Sequence, residues 1–193
     1  MLGFFELWNY EIMKSIELAN YILETALAKG IMGTLYLARP SNKKFDKENS
    51  EDSKVVIKIL NKEYCLNAAY RKLFVTEVEK YRLVDIPNMV EILDVIVTED
   101  LLGVVMPFYK GQLLLDTVPP EGLSLTDALK IAKPLGEAID QMHEAGVMHG
   151  NLTPADIMIE DGKGTPLLLG VGIYKNAFWL GCIQSSPYRS PEE

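Results

Sequence analysis

The chain has 193 residues with 27 acidic and 19 basic side chains and a formal net charge of −8, a size that fits one domain or two small lobes. Apolar residues make up 48% and charged residues 24%, which argues against wholesale disorder, and the acidic balance argues against nucleic-acid binding through a broad basic surface. No apolar run reaches the ~18 residues of a membrane span, the start MLGFFELWNYEIMK lacks the basic lead of a signal peptide, and Cys65 and Cys182 make no disulfide framework, so the expectation is a cytoplasmic protein with no membrane span and no nucleic-acid partner.

Phe4, Trp8 and Ile12 recur at steps of four, predicting a short amphipathic helix over 4–18 that packs on the fold or acts as a docking segment. YILETAL and TLYLAR predict strands on either side of the turn AKGIMG. The polar, charged stretch 41–53 predicts a mobile loop, and KVVIKIL over 54–60 a buried strand. Leu66, Ala69, Tyr70, Leu73, Phe74, Val78 and Tyr81 predict a helix over 66–81, with Glu77 inside the apolar stripe. A carboxylate there needs a cation or donor, or an edge position that reaches water.

IPNMVEILDVIV and LLGVVMPFY predict two further strands joined by a hairpin. After the linker PPEGLS, a helix over 126–145 places Leu129, Ala132, Leu135, Ile139 and Met142 on one face, with a kink expected at Pro134 and an end at Gly146. Short strands IMIE and LLL follow, then a glycine-bearing coil.

Each signal alone is weak, but their order from about Tyr21 to Glu192 resembles a protein kinase of the bacterial Ser/Thr type. The segments that carry the resemblance are KGIMGTLYLAR for the glycine-rich loop, VVIK for the third strand and Glu77 for its helix partner. They continue with IPNMVEILD, VVMPFYKGQLL for the hinge, AIDQMHEAGVMHGNLTPADIMI for the catalytic loop, and SSPYRSPEE for the end of an activation segment. The resemblance implies an α+β, two-lobed fold: an antiparallel N-lobe sheet with one helix, and an incomplete, mainly helical C-lobe. The expected division is an N-terminal helical segment 1–20, an N-lobe 21–106 and a partial C-lobe 107–193.

It also implies ATP as cofactor, held by Gly30 and Gly33 (Ala28 standing at the first glycine position), by Lys58 with Glu77, and by an adenine pocket of Leu35, Val56, Met106, Tyr109 and Met158. Lys58 is the one pocket cation this reading supplies, and a Lys58–Glu77 pair either orients the lysine or merely ties helix to sheet. The catalytic loop departs from the family. Its His-Arg-Asp-Leu-Lys-Pro-Glu-Asn is here His149-Gly150-Asn151-Leu152-Thr153-Pro154-Ala155-Asp156, and Asp-Phe-Gly is Gly170-Val171-Gly172. Asn151 lacks the basicity of the proton-accepting aspartate, Thr153 lacks the lysine's charge, and Gly170 offers no carboxylate for magnesium. Asp156 is left either as a single Mg²⁺ ligand or as a solvated loop residue, and His149 is assigned to packing.

These departures imply a pseudokinase that acts as a regulatory or scaffolding module, with ATP binding retained or lost and no phosphotransfer. The chain stops before the helices that complete the family's large lobe. This predicts an uncovered apolar face on the helix 126–145, used for self-association or for another protein, with help from the N-terminal segment. The alternatives are an atypical, weakly active Ser/Thr kinase or other ATP-using transferase, and a structural protein whose pocket is filled by Val56 and Met158.

Overall fold

The computed structural model describes residues 16–41 and 54–170. Its first half is a six-stranded antiparallel sheet in the order β1-β2-β3-β4-β6-β5. The strands are β1 (Ile16–Leu18), β2 (Tyr21–Lys29), β3 (Gly33–Pro40), β4 (Val55–Leu60), β5 (Asp94–Val97) and β6 (Leu102–Pro107). Runs rich in Val, Ile and Leu form these strands because branched side chains fit a pleated surface buried on both faces. Alternation along β4 sends Val56 and Leu60 to the larger core, between sheet and helices, and Val55 and Ile57 to a second cluster with Leu23, Ala38, Ile96 and Val105. Lys58 shares the face of Val56 and Leu60.

The helix expected over 66–81 is two helices, α1 (Lys62–Leu66) and α2 (Ala68–Arg82). The break is at Asn67, whose side chain accepts the Tyr70 N–H at 2.9 Å and caps α2. Cys65 joins α1 to the sheet: its Sγ donates to Leu60 O and accepts the Leu102 N–H. Tyr70, Phe74, Glu77, Val78 and Tyr81 form the buried face of α2, whereas Leu66, Ala69 and Leu73 are exposed. The apolar stripe is thus rotated from the one the spacing predicts.

Two other expectations change. Residues 16–18 are a strand paired with β2, not the end of a helix; residues 4–15 of that expected helix, the loop 42–53 and everything from Val171 onward lie outside the described residues. IPNMVEIL is not a strand, because Asn88 takes a left-handed φ of 64° and turns the chain. Met89 instead forms a single parallel bridge to Leu168, with Val90 N–H donating to Leu168 O and Leu168 N–H to Asn88 O. This clip joins the N-lobe to the second half of the chain.

The second half begins with β7 (Gly111–Leu113), the short helix α3 (Leu114–Thr117), and α4 (Leu125–Glu144). Ser124 caps α4 by accepting the Asp127 N–H at 3.1 Å, and the helix continues through Pro134. A 3-10 turn (Pro154–Asp156), β8 (Ile157–Glu160) and β9 (Pro166–Leu168) follow, and β7, β8 and β9 form a small antiparallel sheet. On α4, Leu135, Ala138 and Met142 are buried, while Leu125 and Leu129 stand 76% and 55% exposed. The expected stripe holds for its C-terminal half and fails at Leu129 and Ala132, which face away from the core. No helix among the described residues is long and apolar enough to cross a membrane.

Candidate functional site

A cleft of about 380 Å³ opens between the two halves. It is lined by Gly30, Gly33, Leu35, Val56, Lys58, Met106, Tyr109, Asp156, Met158 and Gly170, residues drawn from four strands, two turns and two loops. Val56 and Met158 line this space without filling it, which removes the filled-pocket alternative. Of the predicted site residues, Glu77, Asn151 and Thr153 do not line it.

The glycine turn closes one end. Gly30 N–H donates to Gly33 O at 2.8 Å, so the turn is tight. A Cβ on Gly33 would lie 2.1 Å from Ile59 O, whereas one on Gly30 would meet only Gly33 O at 3.7 Å. Gly33 is therefore demanded by its packing on β4, whatever it does toward a phosphate. The tip is also pinned: Asn61 donates from its backbone to Met32 O at 2.9 Å and from its side-chain amide to Ile31 O at 2.8 Å. Met32 is buried in the main core beside Tyr64 and Leu60.

The hinge is Pro107 to Tyr109. Pro107 has no N–H, Phe108 N–H donates to Lys54 O at 3.3 Å, and the Tyr109 N–H has no backbone partner among the described residues. Tyr109 thus offers a donor at the edge of the apolar pocket formed by Leu35, Val56, Met106 and Met158. Burial and the carboxylates of Glu91 and Glu160 push its phenol above the usual value, so the ring is neutral at physiological pH.

Glu77 does not pair with Lys58. Its Oε1 lies 2.7 Å from Lys80 Nζ, one turn along α2, and its buried Oε2 has no hydrogen-bond partner among the described residues. The sequence correctly demanded a cation for this carboxylate and named the wrong one, because spacing cannot tell which way the side chain turns.

The loop from His149 to Asp156 is knitted to Leu169, just after β9. His149 is buried, its Nε2 is 2.8 Å from Leu169 O, and its Nδ1 faces the Asn151 N–H at 3.4 Å. With Nδ1 accepting, Nε2 carries the proton and donates to the carbonyl. Burial holds the imidazole below its usual value of 6.5 against the opposing pull of Asp156. This agrees with a packing role. Asp156 is buried, not a solvated loop residue. Its Oδ2 accepts the Thr153 N–H at 3.0 Å and the Thr153 hydroxyl at 2.8 Å, closing a capping box over the 3-10 turn. Gly170 adopts φ 73°, where glycine is unstrained.

Magnesium is the ion this fold implies, and it binds through one or two carboxylates together with phosphate oxygens. Here the described residues supply one carboxylate in the cleft, half of it committed to Thr153, and contain no cluster of three His, Cys, Asp or Glu side chains. Asp156 is thus the one carboxylate among the described residues that lines the cleft where such an ion would sit beside a nucleotide's phosphates.

The sequence reading missed several lining residues: Lys29, Val90, Ile92, Val104 and Leu169. The apolar ones carry no signal beyond ordinary core residues. Lys29 had one, its place between Ala28 and Gly30, and it corrects the expectation that Lys58 alone supplies positive charge.

Residues 24–175 match a family model described as the protein kinase domain. Among curated proteins, the chain is 29% identical over 142 residues to CBL-interacting serine/threonine-protein kinase 21 of Arabidopsis thaliana, covering 72% of this chain and 34% of that one. It is 28% identical over 155 residues to the serine/threonine-protein kinase PknJ of Mycobacterium tuberculosis, covering 80% of this chain and 25% of that one. The chain therefore spans about a third or less of these relatives' length. Among solved structures, a double mutant of the Mycobacterium tuberculosis PknI kinase domain superposes with a TM-score of 0.75 at 21% identity, over 92% of this chain and 67% of that one. Another structure of the PknI kinase domain gives 0.70 at 20% identity, over 89% of this chain and 68% of that one.

Proposed function

The chain belongs to the protein kinase family, and we propose that this member is a pseudokinase: a regulatory, protein-binding module that retains an adenine-nucleotide cleft and transfers no phosphoryl group. The observation that carries the reading is the loss of two carboxylates, replaced by Asn151 in HGNLTPAD and Gly170 in LLLGVG. The first would accept the proton of the attacking hydroxyl, and the second would hold the ion that bridges the phosphates. An amide orients a hydroxyl but accepts no proton, and general-base help is worth about 10²–10⁴ in rate. Glu77 supports the same reading, since kinase catalysis also needs the strand lysine paired with the helix glutamate and Glu77 is held by Lys80.

Nucleotide retention is supported by the cleft itself, with Lys58 beside an apolar pocket and an available hinge donor at Tyr109. In this cleft Leu35, Val56, Met106 and Met158 would sandwich the base, Tyr109 N–H would bond its edge, and the lysines would meet the phosphates. The regulatory side is supported by the apolar outer face of α4 at Leu125 and Leu129.

A second reading, a weakly active Ser/Thr kinase or another ATP-using transferase, is favoured by the curated relatives, which carry kinase names. Calorimetric titration with ATP, paired with a γ-phosphate transfer assay on the same preparation, separates the two. The proposal expects saturable binding that Lys58→Ala abolishes, with no transfer. Transfer that disappears in Lys58→Ala would establish the second reading.

A further inference from the structure

Leu125, Leu129, Ala132, Gly136 and His143 of α4 are all exposed. At 3.6 residues per turn they fall on one stripe, turned away from the Leu135, Ala138 and Met142 face that meets the core. The stripe stands out at its first end, where Leu125 and Leu129 project. It is low at its centre, where Ala132 and Gly136 carry little or no side chain, so a second helix can come close there. Its far end is concave: His143, Gly146 and Met148 line a hollow of about 190 Å³, and Met148 is 40% exposed.

The flank of the stripe changes sign along the helix. Lys130 and Lys133 precede Gly136, whereas Glu137, Asp140 and Glu144 follow it, and all five are exposed. Lys130 already bonds Asp127 at 2.8 Å, which leaves Lys133 as the cation nearest the centre. A face with projecting leucines and positive charge at one end, and a hollow and negative charge at the other, is complementary to itself turned end for end. Lys133 and Asp140 lie three and four residues either side of Gly136, and Leu125 and Met148 lie eleven and twelve. One register therefore meets both matches.

We propose that this face binds a second copy of the chain, α4 against α4 in antiparallel, about a two-fold axis near Gly136. Lys133 of each copy faces Asp140 of the other, and Leu125 of each sits over the hollow at His143, Gly146 and Met148 of the other. The proposal rests on the protein-binding part of the reading above and names the partner. Two copies of net charge −8 repel one another overall. Burial of Leu125 and Leu129 drives the association, and the local charge match sets its orientation.

The test is sedimentation velocity of the intact chain from low to high micromolar concentration. It compares wild type, Leu129→Glu, Lys133→Glu, Asp140→Lys, the Lys133→Glu/Asp140→Lys double variant and an equimolar mixture of those two single variants. Glu99→Lys, an exposed charge reversal between β5 and β6, is the control, and melting temperatures establish that each variant is folded.

The expected result is a concentration-dependent dimer for wild type and Glu99→Lys that is lost in Leu129→Glu. Each single charge reversal weakens it about tenfold or more, because every like-charge contact occurs twice in a symmetric dimer. The double variant and the mixture recover the dimer, since both restore opposite charges across the axis. A chain that stays monomeric at every concentration overturns the proposal, and so does a dimer that Leu129→Glu leaves intact. Single reversals that match Glu99→Lys, or a double variant no better than the singles, overturn the antiparallel arrangement and the proposal with it. None of these outcomes touches the pseudokinase reading, which the transfer assay decides, because α4 contributes no residue to the cleft.

Discussion

Glu77 Oε1 and Lys80 Nζ are 2.7 Å apart on successive turns of α2, and this pair stands in place of one between Glu77 and Lys58. The Glu77 side chain is 10% exposed and that of Lys80 48%, so the pair spans the boundary between core and solvent. A buried carboxylate with one oxygen that has no hydrogen-bond partner among the described residues is an expensive arrangement. It persists because the Lys80 ammonium, tethered at i+3, reaches the other oxygen from the solvent side.

Removing Lys80 leaves that carboxylate without its cation. Lys80→Ala is expected to lower stability by about 1–2 kcal/mol, less than the full cost of breaking a wholly buried pair because Lys80 is half exposed. Glu77→Gln in the Lys80→Ala background is expected to recover much of the loss, since no charge is then stranded. Urea denaturation of the two single variants and the double variant measures the coupling. Equal losses in Lys80→Ala with and without Glu77→Gln would show that the pair does not hold Glu77.

The two surviving glycines of the turn have different reasons to be glycine. Gly33→Ala forces a Cβ against the Ile59 carbonyl and is expected to cost about 2 kcal/mol or more. Gly30→Ala has room and is expected to stay within about 1 kcal/mol of wild type. Thermal or urea unfolding decides this without reference to nucleotide, and similar losses at both positions would contradict the packing argument.

Anchoring of the turn tip is testable at Met32 and Asn61. Met32 is 1% exposed in the main core, so Met32→Ala is expected to cost about 2–5 kcal/mol. Asn61→Ala removes the side-chain bond to Ile31 O and is expected to cost about 1 kcal/mol. Hydrogen exchange at Gly30 and Gly33 should accelerate in Asn61→Ala; unchanged protection would mean that Asn61 does not hold the turn.

His149 makes stability depend on pH with a definite sign. Its folded-state pKa lies below the ordinary 6.5, chiefly through burial, so the unfolded chain takes up the proton first. Stability from the neutral ring is complete above about pH 6.5 and is lost as the pH falls through that value toward the lower folded one. Urea midpoints at pH 7.5 and 5.5 should fall for wild type, with a smaller difference in His149→Gln. An equal pH dependence in both proteins would exclude His149 as the source.

Gly170 sits at φ 73°, a conformation that costs a side-chain-bearing residue about 1–2 kcal/mol. Restoring the carboxylate with Gly170→Asp is therefore expected to lower stability by about 1 kcal/mol, which the melting temperature measures. Unchanged stability would mean that the aspartate finds a compensating contact.

Much of this architecture was legible in the chain. β2, β3, β4 and β6 announced themselves as branched-residue runs between turn signals, and Thr126 and Asp127 marked the start of α4. Most lining residues followed from the order of the motifs. What escaped the sequence was set by tertiary geometry. Periodicity gave α2 an apolar stripe but not its rotation, so Leu66 and Leu73 were placed inward and are exposed. IPNMVEIL has a strand's composition, yet one left-handed residue, Asn88, ends that possibility. Glu77's place in the apolar stripe demanded a cation, and only the packed helix shows that Lys80 supplies it. Lys29 stands between Ala28 and Gly30 in the sequence, but only the sheet and turn show that it lines the cleft.

The central claim is that the cleft has lost phosphoryl transfer through Asn151 and Gly170 while keeping its nucleotide-binding surface. The most direct measurement is incorporation of label from γ-labelled ATP into the chain itself and into a generic protein acceptor, over a long incubation with divalent metal, for wild type and Lys58→Ala in parallel. The account predicts that wild type gives no more label than Lys58→Ala. Incorporation by wild type clearly above the Lys58→Ala background would contradict it and make this chain a working kinase.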